Sequence, residues 1–323
     1  MKDEHVLQYK KAVDAVKTRK ITQIYLVACG GSKAFMHPSQ YIFDIETTVP
    51  AAVYSSNEFV HRCPKALGEN ALFISCSHSG NTPETVKATQ LAREKGAITV
   101  ALSNLEDSEL WNAAEYPVHY DWKDCDFSDS RYGMLYALTF GVLNALQPDE
   151  RYDRAVKSLD KLQPVIDRAK AQHKEAAEEF GKAHKRDELI YTMASGSNYG
   201  SAYSYAVCLL MEMSWVHSNA IHSGEYFHGP FECTDFDVPF LILKGIDHCR
   251  PLDERAESFC RKFSDRVTTV DAADFDMGEI PEDLHCYFGA VVTDYVLRDY
   301  AEALADHRGH PLSVRRYMWR MDY

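Results

Sequence analysis

The apolar positions of the chain fall into two alternating series separated by a long helical stretch. The first 19 residues mix charged and apolar positions at helical spacing and predict a leading helix. "ITQIYLVACGGS" (21–32) then carries a dense apolar run that ends in glycines, the pattern of a parallel strand buried on both faces. "AAVYSSNEF" (51–59), "ALFISCSHSGN" (71–81) and "AITVALSN" (97–104) repeat it. Between the last two, "PETVKATQLAREKG" has proline in its first turn and glycine past its end, the marks of a helix. Strands alternating with helices predict right-handed βαβ units and a parallel sheet.

From about 127 to 185 the pattern turns helical. "YGMLYALTFGVLNAL" is apolar almost all round, and "DRAVKSLDKLQPVIDRAKAQHKEAAEEFGKAH" is amphipathic and reads as a crossover between lobes. A second α/β series follows at 187–201, 238–245 and 266–274, closed by the helix "AVVTDYVLRDYAEALADHRG". The expected architecture is two α/β domains, 1–150 and 151–323, each a doubly wound parallel sheet flanked by helices. "IYLVACGGS" and "IYTMASGSN" open the two series with one pattern, a weak internal duplication. Their next turns differ: "SHSGNTPET" in the first half, "LKGIDHCRPLDE" in the second.

Length and charge narrow the classes. At 323 residues the chain exceeds one ordinary core, and at 46% hydrophobic and 26% charged it is a globular composition. The net charge of −13 argues against nucleic acid as a partner, so an anionic substrate must be attracted locally. Nine cysteines without a C-x-x-C pair read as free thiols of a reducing cytoplasm. No apolar signal segment opens the chain and no apolar stretch reaches membrane-spanning length, so no membrane partner is expected.

Candidate chemistry sits in two stretches. In "SCSHSGNTPET", Ser77, Ser79 and Thr82 bring three hydroxyls to the end of a buried strand, just before a helix. A helix N-terminus offers free N–H groups and positive dipole, so a phosphate fits there without a basic side chain. A turn that merely caps the helix is the simpler reading. The second glycine-serine turn, Gly30-Gly31-Ser32, tips the balance, because both turns lie at carboxyl ends of parallel strands, where ligands bind. Neither turn is a dinucleotide or Walker loop. The other stretch is "LLMEMSWVHSNAIHSGEYFHGPFE" (209–232), where Glu212 stands in an apolar helix and His228 closes a glycine-proline loop. A carboxylate in such surroundings is paired, hydrated or used. It serves either as an ion-pair partner of an arginine or as a base.

"CGGS", "SHSGNTPET" and "HSGEYFHGP", in that order, resemble the sugar isomerase (SIS) family over nearly the whole chain from about residue 20. Within it, "MEMSWVHSNAIHSGEYFHGPFE" and "HPLSVRRYMWRMDY" are most similar to the bacterial fructosamine 6-phosphate deglycases of the fructose-asparagine type. The resemblance implies two SIS domains of flavodoxin-like build and a sugar phosphate held by Ser32, Ser77, His78, Ser79 and Thr82. It implies Glu212 as general base and His228 as the ring-opening group. The substrate it implies is a phosphorylated Amadori product, 6-phosphofructose-aspartate or -asparagine, cleaved with water to glucose 6-phosphate and the amino acid. It further implies a homodimer with composite sites.

The residue types suit that chemistry. Histidine exchanges protons near neutral pH for ring opening, and one carboxylate can carry a proton from C1 to C2. No metal or organic cofactor is needed. Glu225 is placed to orient His228 or cap a helix, and His217 and His222 read as packing or substrate contacts rather than metal ligands. Arg315, Arg316 and Arg320 are surface charge or readers of an amino-acid carboxylate. The alternatives are an aldose–ketose isomerase, whose C-terminal lysine "RRYMWRMDY" lacks, and a non-catalytic sugar-phosphate sensor.

Overall fold

The computed structural model describes residues 1–322 and divides into two compact units, Met1–Gln163 and the chain from Pro164 onward. The first unit is built on strands β1 (Gln23–Ala28), β2 (Ala51–Ser55), β3 (Ala71–Ser77), β4 (Ile98–Ser103) and β5 (Tyr116–His119). They lie in the order β2-β1-β3-β4-β5, all parallel, with Leu26 of β1 between Val53 and Ile74. This is the flavodoxin-like order. β1 and β3 are central, and every residue of β3 is buried, which is why their sequences read as apolar runs. On one face Tyr25, Val27, Phe59, Phe73, Ala88 and Ala92 form a continuous core.

Three details depart from the sequence pattern. β2 ends at Ser55, and the helix Ser56–Arg62 follows it, buried through Phe59. β5 carries Pro117, which hides it from a strand reading; as an edge strand it has no neighbour beyond to receive the missing N–H. The long amphipathic stretch is two helices, Glu150–Ser158 and Leu162–His184, separated by a tight turn at Leu159–Lys161. The apolar helix Arg131–Leu146 is sealed on nearly every side, from Tyr132 to Phe140 without a break. Burial in its own chain accounts for its composition.

The second unit carries β6 (Tyr191–Ala194), β7 (Ala220–His222), β8 (Phe240–Lys244) and β9 (Val267–Asp271) in the order β7-β6-β8-β9, all parallel. That order matches the first four strands of the first unit, so the resemblance between the two openings extends to topology. The helix His285–Arg308 buries Phe288, Val291, Val292 and Leu304 in this unit. Ser204–Ser214 winds as a wide π-type helix and ends at Trp215 in the left-handed conformation, φ 55°. Such turns recur at functional sites. Among the described residues no helix is long and apolar enough to cross a membrane, and all nine cysteines are free thiols.

Candidate functional site

The first unit gathers the predicted phosphate residues at the carboxyl ends of neighbouring strands β1 and β3, the point where the sheet order reverses direction. Ser77 is buried at the end of β3, and its Oγ lies 2.8 Å from Thr82 Oγ1 and 3.5 Å from Ser79 Oγ. Thr82 occupies the N-cap of the helix Pro83–Glu94, yet its side chain makes no capping bond. A simple cap therefore does not explain this turn. Gly80 adopts φ 67°, and a Cβ there would collide with Ser108 Oγ, so glycine is required both by conformation and by space. Ser79 stands exposed at the tip.

Ser32, in the first turn of the short helix Gly30–Ala34, places its hydroxyl at the Cys76 thiol beside Ser77. His78 is exposed, with Nδ1 3.1 Å from the Tyr120 hydroxyl and its ring 4.7 Å from that of Trp122. Desolvation, and then the positive charge of Arg131, hold the His78 imidazole below its ordinary pKa. Burial pushes the Tyr120 hydroxyl well up, so it stays protonated between Nδ1 and the Cys76 thiol. The His78 imidazole thus stands at the mouth of the turn with Nδ1 engaged by Tyr120. Tyr120 and Arg131 were not recognised in the sequence. They reach the turn only through the fold, Tyr120 from 42 residues away, and belong to no local motif.

Glu212 lines a cleft of about 590 Å³ in the second unit, together with Trp215, His217, Arg315, Arg316 and Tyr317. Its Oε1 pairs with Arg315 Nη2 at 2.8 Å. Arg315 is only 6% exposed and donates also to the carbonyls of Leu312 and Val314, so the C-terminal tail delivers a fixed guanidinium to the carboxylate. Arg316 is exposed, lies 4.0 Å from the ring centre of Trp215 and makes no ion pair among the described residues. Arg320 is exposed farther along the tail.

His228 is not among the residues that line this cleft. It sits exposed on a short turn, Tyr226–His228, anchored by its neighbours: Tyr226 is fully buried and bonded to Thr234 and Cys260, and Phe227 packs under Arg255 at 4.1 Å. Among the described residues the His228 side chain has no hydrogen-bond, ionic or ring partner. The Glu225 side chain makes no cap bond to this turn, and its carbonyl accepts the His228 backbone N–H at 2.9 Å. His222 Nδ1 accepts from Gly224 N at 3.1 Å and its ring packs on Tyr199, so it shapes the local turn. His217 lines the cleft and ties its backbone N–H to Glu188 O.

The equivalent turns of the second unit are filled from within. Asp247 accepts from the backbone N–H and hydroxyl of Ser197 and from Cys249 N at 2.8 Å. Asp253, fully buried, accepts from Ser195 Oγ at 2.7 Å, Ser223 Oγ at 2.6 Å and Gly245 N at 3.2 Å.

A family profile for the SIS domain matches residues 18–127. The chain is 49% identical to the fructosamine deglycase FrlB of Bacillus subtilis over 310 residues, covering 95% of this chain and 94% of that protein. It is 28% identical to the fructoselysine 6-phosphate deglycase of Escherichia coli, covering 88% of this chain and 86% of the relative. Among solved structures, a Bacillus subtilis protein named for a phosphosugar isomerase superimposes with a TM-score of 0.96 at 48% identity, over 98% of this chain and 97% of that one.

Proposed function

We propose that this chain, which belongs to the SIS-domain family of sugar-phosphate deglycases, hydrolyses a fructosamine 6-phosphate to glucose 6-phosphate and a free amino acid. The observation that carries the reading is the placement of Glu212. One oxygen is held by Arg315, which fixes the carboxylate's orientation, while the group borders an open cleft. The hydroxyls of Ser32, Ser77, Ser79 and Thr82, with His78 Nε2–H, take the phosphate, and Arg131 supplies the local positive charge that a chain of net −13 otherwise lacks. His228 exchanges the protons of ring opening. Glu212 then removes a proton from C1 to give the enaminol and returns it at C2. The imine so formed takes up water and releases the amino acid, with no cofactor in the chemical steps.

Arg316 is the group proposed to meet the amino-acid carboxylate, since among the described residues its guanidinium has only the Trp215 ring as partner. A cationic reader at that point suits the acidic or amide side chain of an aspartate or asparagine conjugate. The nine free thiols fit a reducing cytoplasm. The exposed His228, absent from the Glu212 cleft, supports a homodimer in which each site takes its histidine from the partner.

The direct test is to incubate the protein with 6-phosphofructose conjugates of several amino acids and assay glucose 6-phosphate. No release from any of them sinks the reading. Composite sites are tested by mixing Glu212→Ala with His228→Ala subunits. If each site draws on two chains, a heterodimer has one doubly damaged and one intact site, so activity returns in part. A mixture that exchanges subunits and stays dead rules out the shared site.

A further inference from the structure

Away from both loops, the first unit brings together His5, His119 and Asp121, with one donor atom from each lying within 4.8 Å of the others. His5 is fully buried on the leading helix Asp3–Lys17. Its Nδ1 is 2.7 Å from Asp129 Oδ1, an oxygen that also accepts the backbone N–H of Lys2 at 2.8 Å. That carboxylate engages Nδ1, and Nε2 is buried with no hydrogen-bond partner among the described residues. His119 ends β5, with Nε2 3.5 Å from Asp121 Oδ1 and with Nδ1 also buried and unpartnered. The two ring centres lie 5.3 Å apart, the planes tilted by 44°. Two imidazole nitrogens beside one carboxylate form a donor set that suits an acceptor of electron pairs.

We propose that His5, His119 and Asp121 bind a borderline divalent transition metal of the zinc class. Two imidazoles and a carboxylate are the donors such ions take, with a fourth position left for water. Asp129 behind His5 is the second-shell carboxylate that orients a metal-binding imidazole and raises its basicity. Donors on a zinc tetrahedron lie about 3.4 Å apart at bond lengths near 2.05 Å, so the cluster closes on the ion by small side-chain rotations. Lys2 Nζ now lies 2.8 Å from Asp121 Oδ2; its side chain is 52% exposed and swings into solvent when the ion enters.

The metal would act by position, not in the chemical steps. His119 and Asp121 flank Tyr120, whose hydroxyl holds His78 at the phosphate turn. An ion on the two flanking residues pins the leading helix to the end of β5 and steadies Tyr120 against His78.

The test uses the full chain, stripped with a chelator and titrated with Zn²⁺ by calorimetry and with Co²⁺ by absorption. One site per chain is expected, with the visible bands of low-coordinate Co²⁺ and a raised thermal midpoint. His119→Gln and Asp121→Asn, both partly exposed positions, should each weaken binding at least about tenfold. Lys2→Ala removes the competing ammonium from an exposed side chain and should tighten it. Absence of a Co²⁺ spectrum in the wild type overturns the site, as do variants that bind as well as wild type, which would place the ion on other histidines or cysteines. Unchanged affinity in Lys2→Ala overturns it independently of how the other two variants fold.

Discussion

The turn after β3 in the first unit and the turns after β6 and β8 in the second come from one topology, and their contents are opposite. In the first unit Ser77 and Thr82 hydroxyls face one another at 2.8 Å, with Ser79 exposed beside them and no acidic group among their partners in the described residues. In the second, Asp247 and Asp253 put their own carboxylates where an anion would go, and the Ser195, Ser197 and Ser223 hydroxyls point at them. A Cβ on Gly196 would lie 2.5 Å from Asp247 Oδ1, so the carboxylate is packed against the glycine of the turn. A phosphate arriving there would meet like charge and occupied donors. The shared topology thus carries one turn of hydroxyls facing one another and one satisfied by its own carboxylates. The second unit carries instead the Glu212 cleft and the exposed His228 turn, so the proposed function assigns grip to one half and chemistry to the other.

The largest expected effect tests that division from the chemical side. Glu212→Gln keeps a hydrogen-bond partner for Arg315 but removes the base, and turnover should fall about 10²–10⁴-fold while affinity for glucose 6-phosphate survives. Arg315→Ala separates the two uses of the carboxylate. If Glu212 served only to anchor the tail, Glu212→Gln would stay active and Arg315→Ala would lose as much as Glu212→Ala. Steady-state rates of the three folded variants decide between them.

From the binding side, Ser79→Ala or Thr82→Ala should raise KM and the glucose 6-phosphate inhibition constant about tenfold each, with a smaller change in kcat. A hydrogen bond to a charged group contributes about 1.5–3 kcal/mol, and the phosphate is remote from the bonds that change. If both constants stay at their wild-type values, the open turn is not the phosphate site.

Asp247→Ala addresses the filled turn. Removing the acceptor of two backbone N–H groups and one hydroxyl should lower stability by about 2 kcal/mol. Inorganic phosphate should restore part of that loss in the variant and add less to the thermal midpoint of the wild type at the same concentration. A variant as stable as wild type would mean that the carboxylate is not what satisfies the turn.

How much of this was legible depended on sequence distance. The strands at 23–28, 71–77 and 98–103 were readable because central parallel strands are buried on both faces and carry no charged residue. β5, with Pro117 and only four residues, and β7, with three, give too short a period to register. Ser77, Ser79 and Thr82 lie within one turn of chain and could be read together. Tyr120, Arg131 and the Arg315 partner of Glu212 are joined to their sites only by tertiary contacts, which no local pattern encodes. The same holds for Asp247. The sequence marked "LKGIDHCRPLDE" as different, and only the folded turn gives the difference its meaning as an internal anion.

The smallest effect concerns His78, the one ionisable side chain among the five predicted phosphate residues. In the proposed site His78 gives the phosphate an N–H, so His78→Gln, which presents an N–H donor of similar reach, should change KM by no more than a few-fold. Its signature lies in pH. Desolvation, then Arg131, lower the folded-state pKa, so between that value and the ordinary value of about 6.5 the unfolded chain binds a proton that the folded chain does not. Stability of the wild type should therefore fall as pH drops below about 6.5, and His78→Gln should lack that increment. Phosphate at the turn opposes the shift by stabilising the imidazolium, so the wild type with saturating glucose 6-phosphate should lose less than the free enzyme on acidification. Thermal midpoints of both proteins from pH 5 to 7.5, with and without the sugar phosphate, measure this directly. Parallel curves for wild type and variant would show that His78 is not desolvated beside Arg131, and a ligand-independent difference would detach it from the phosphate.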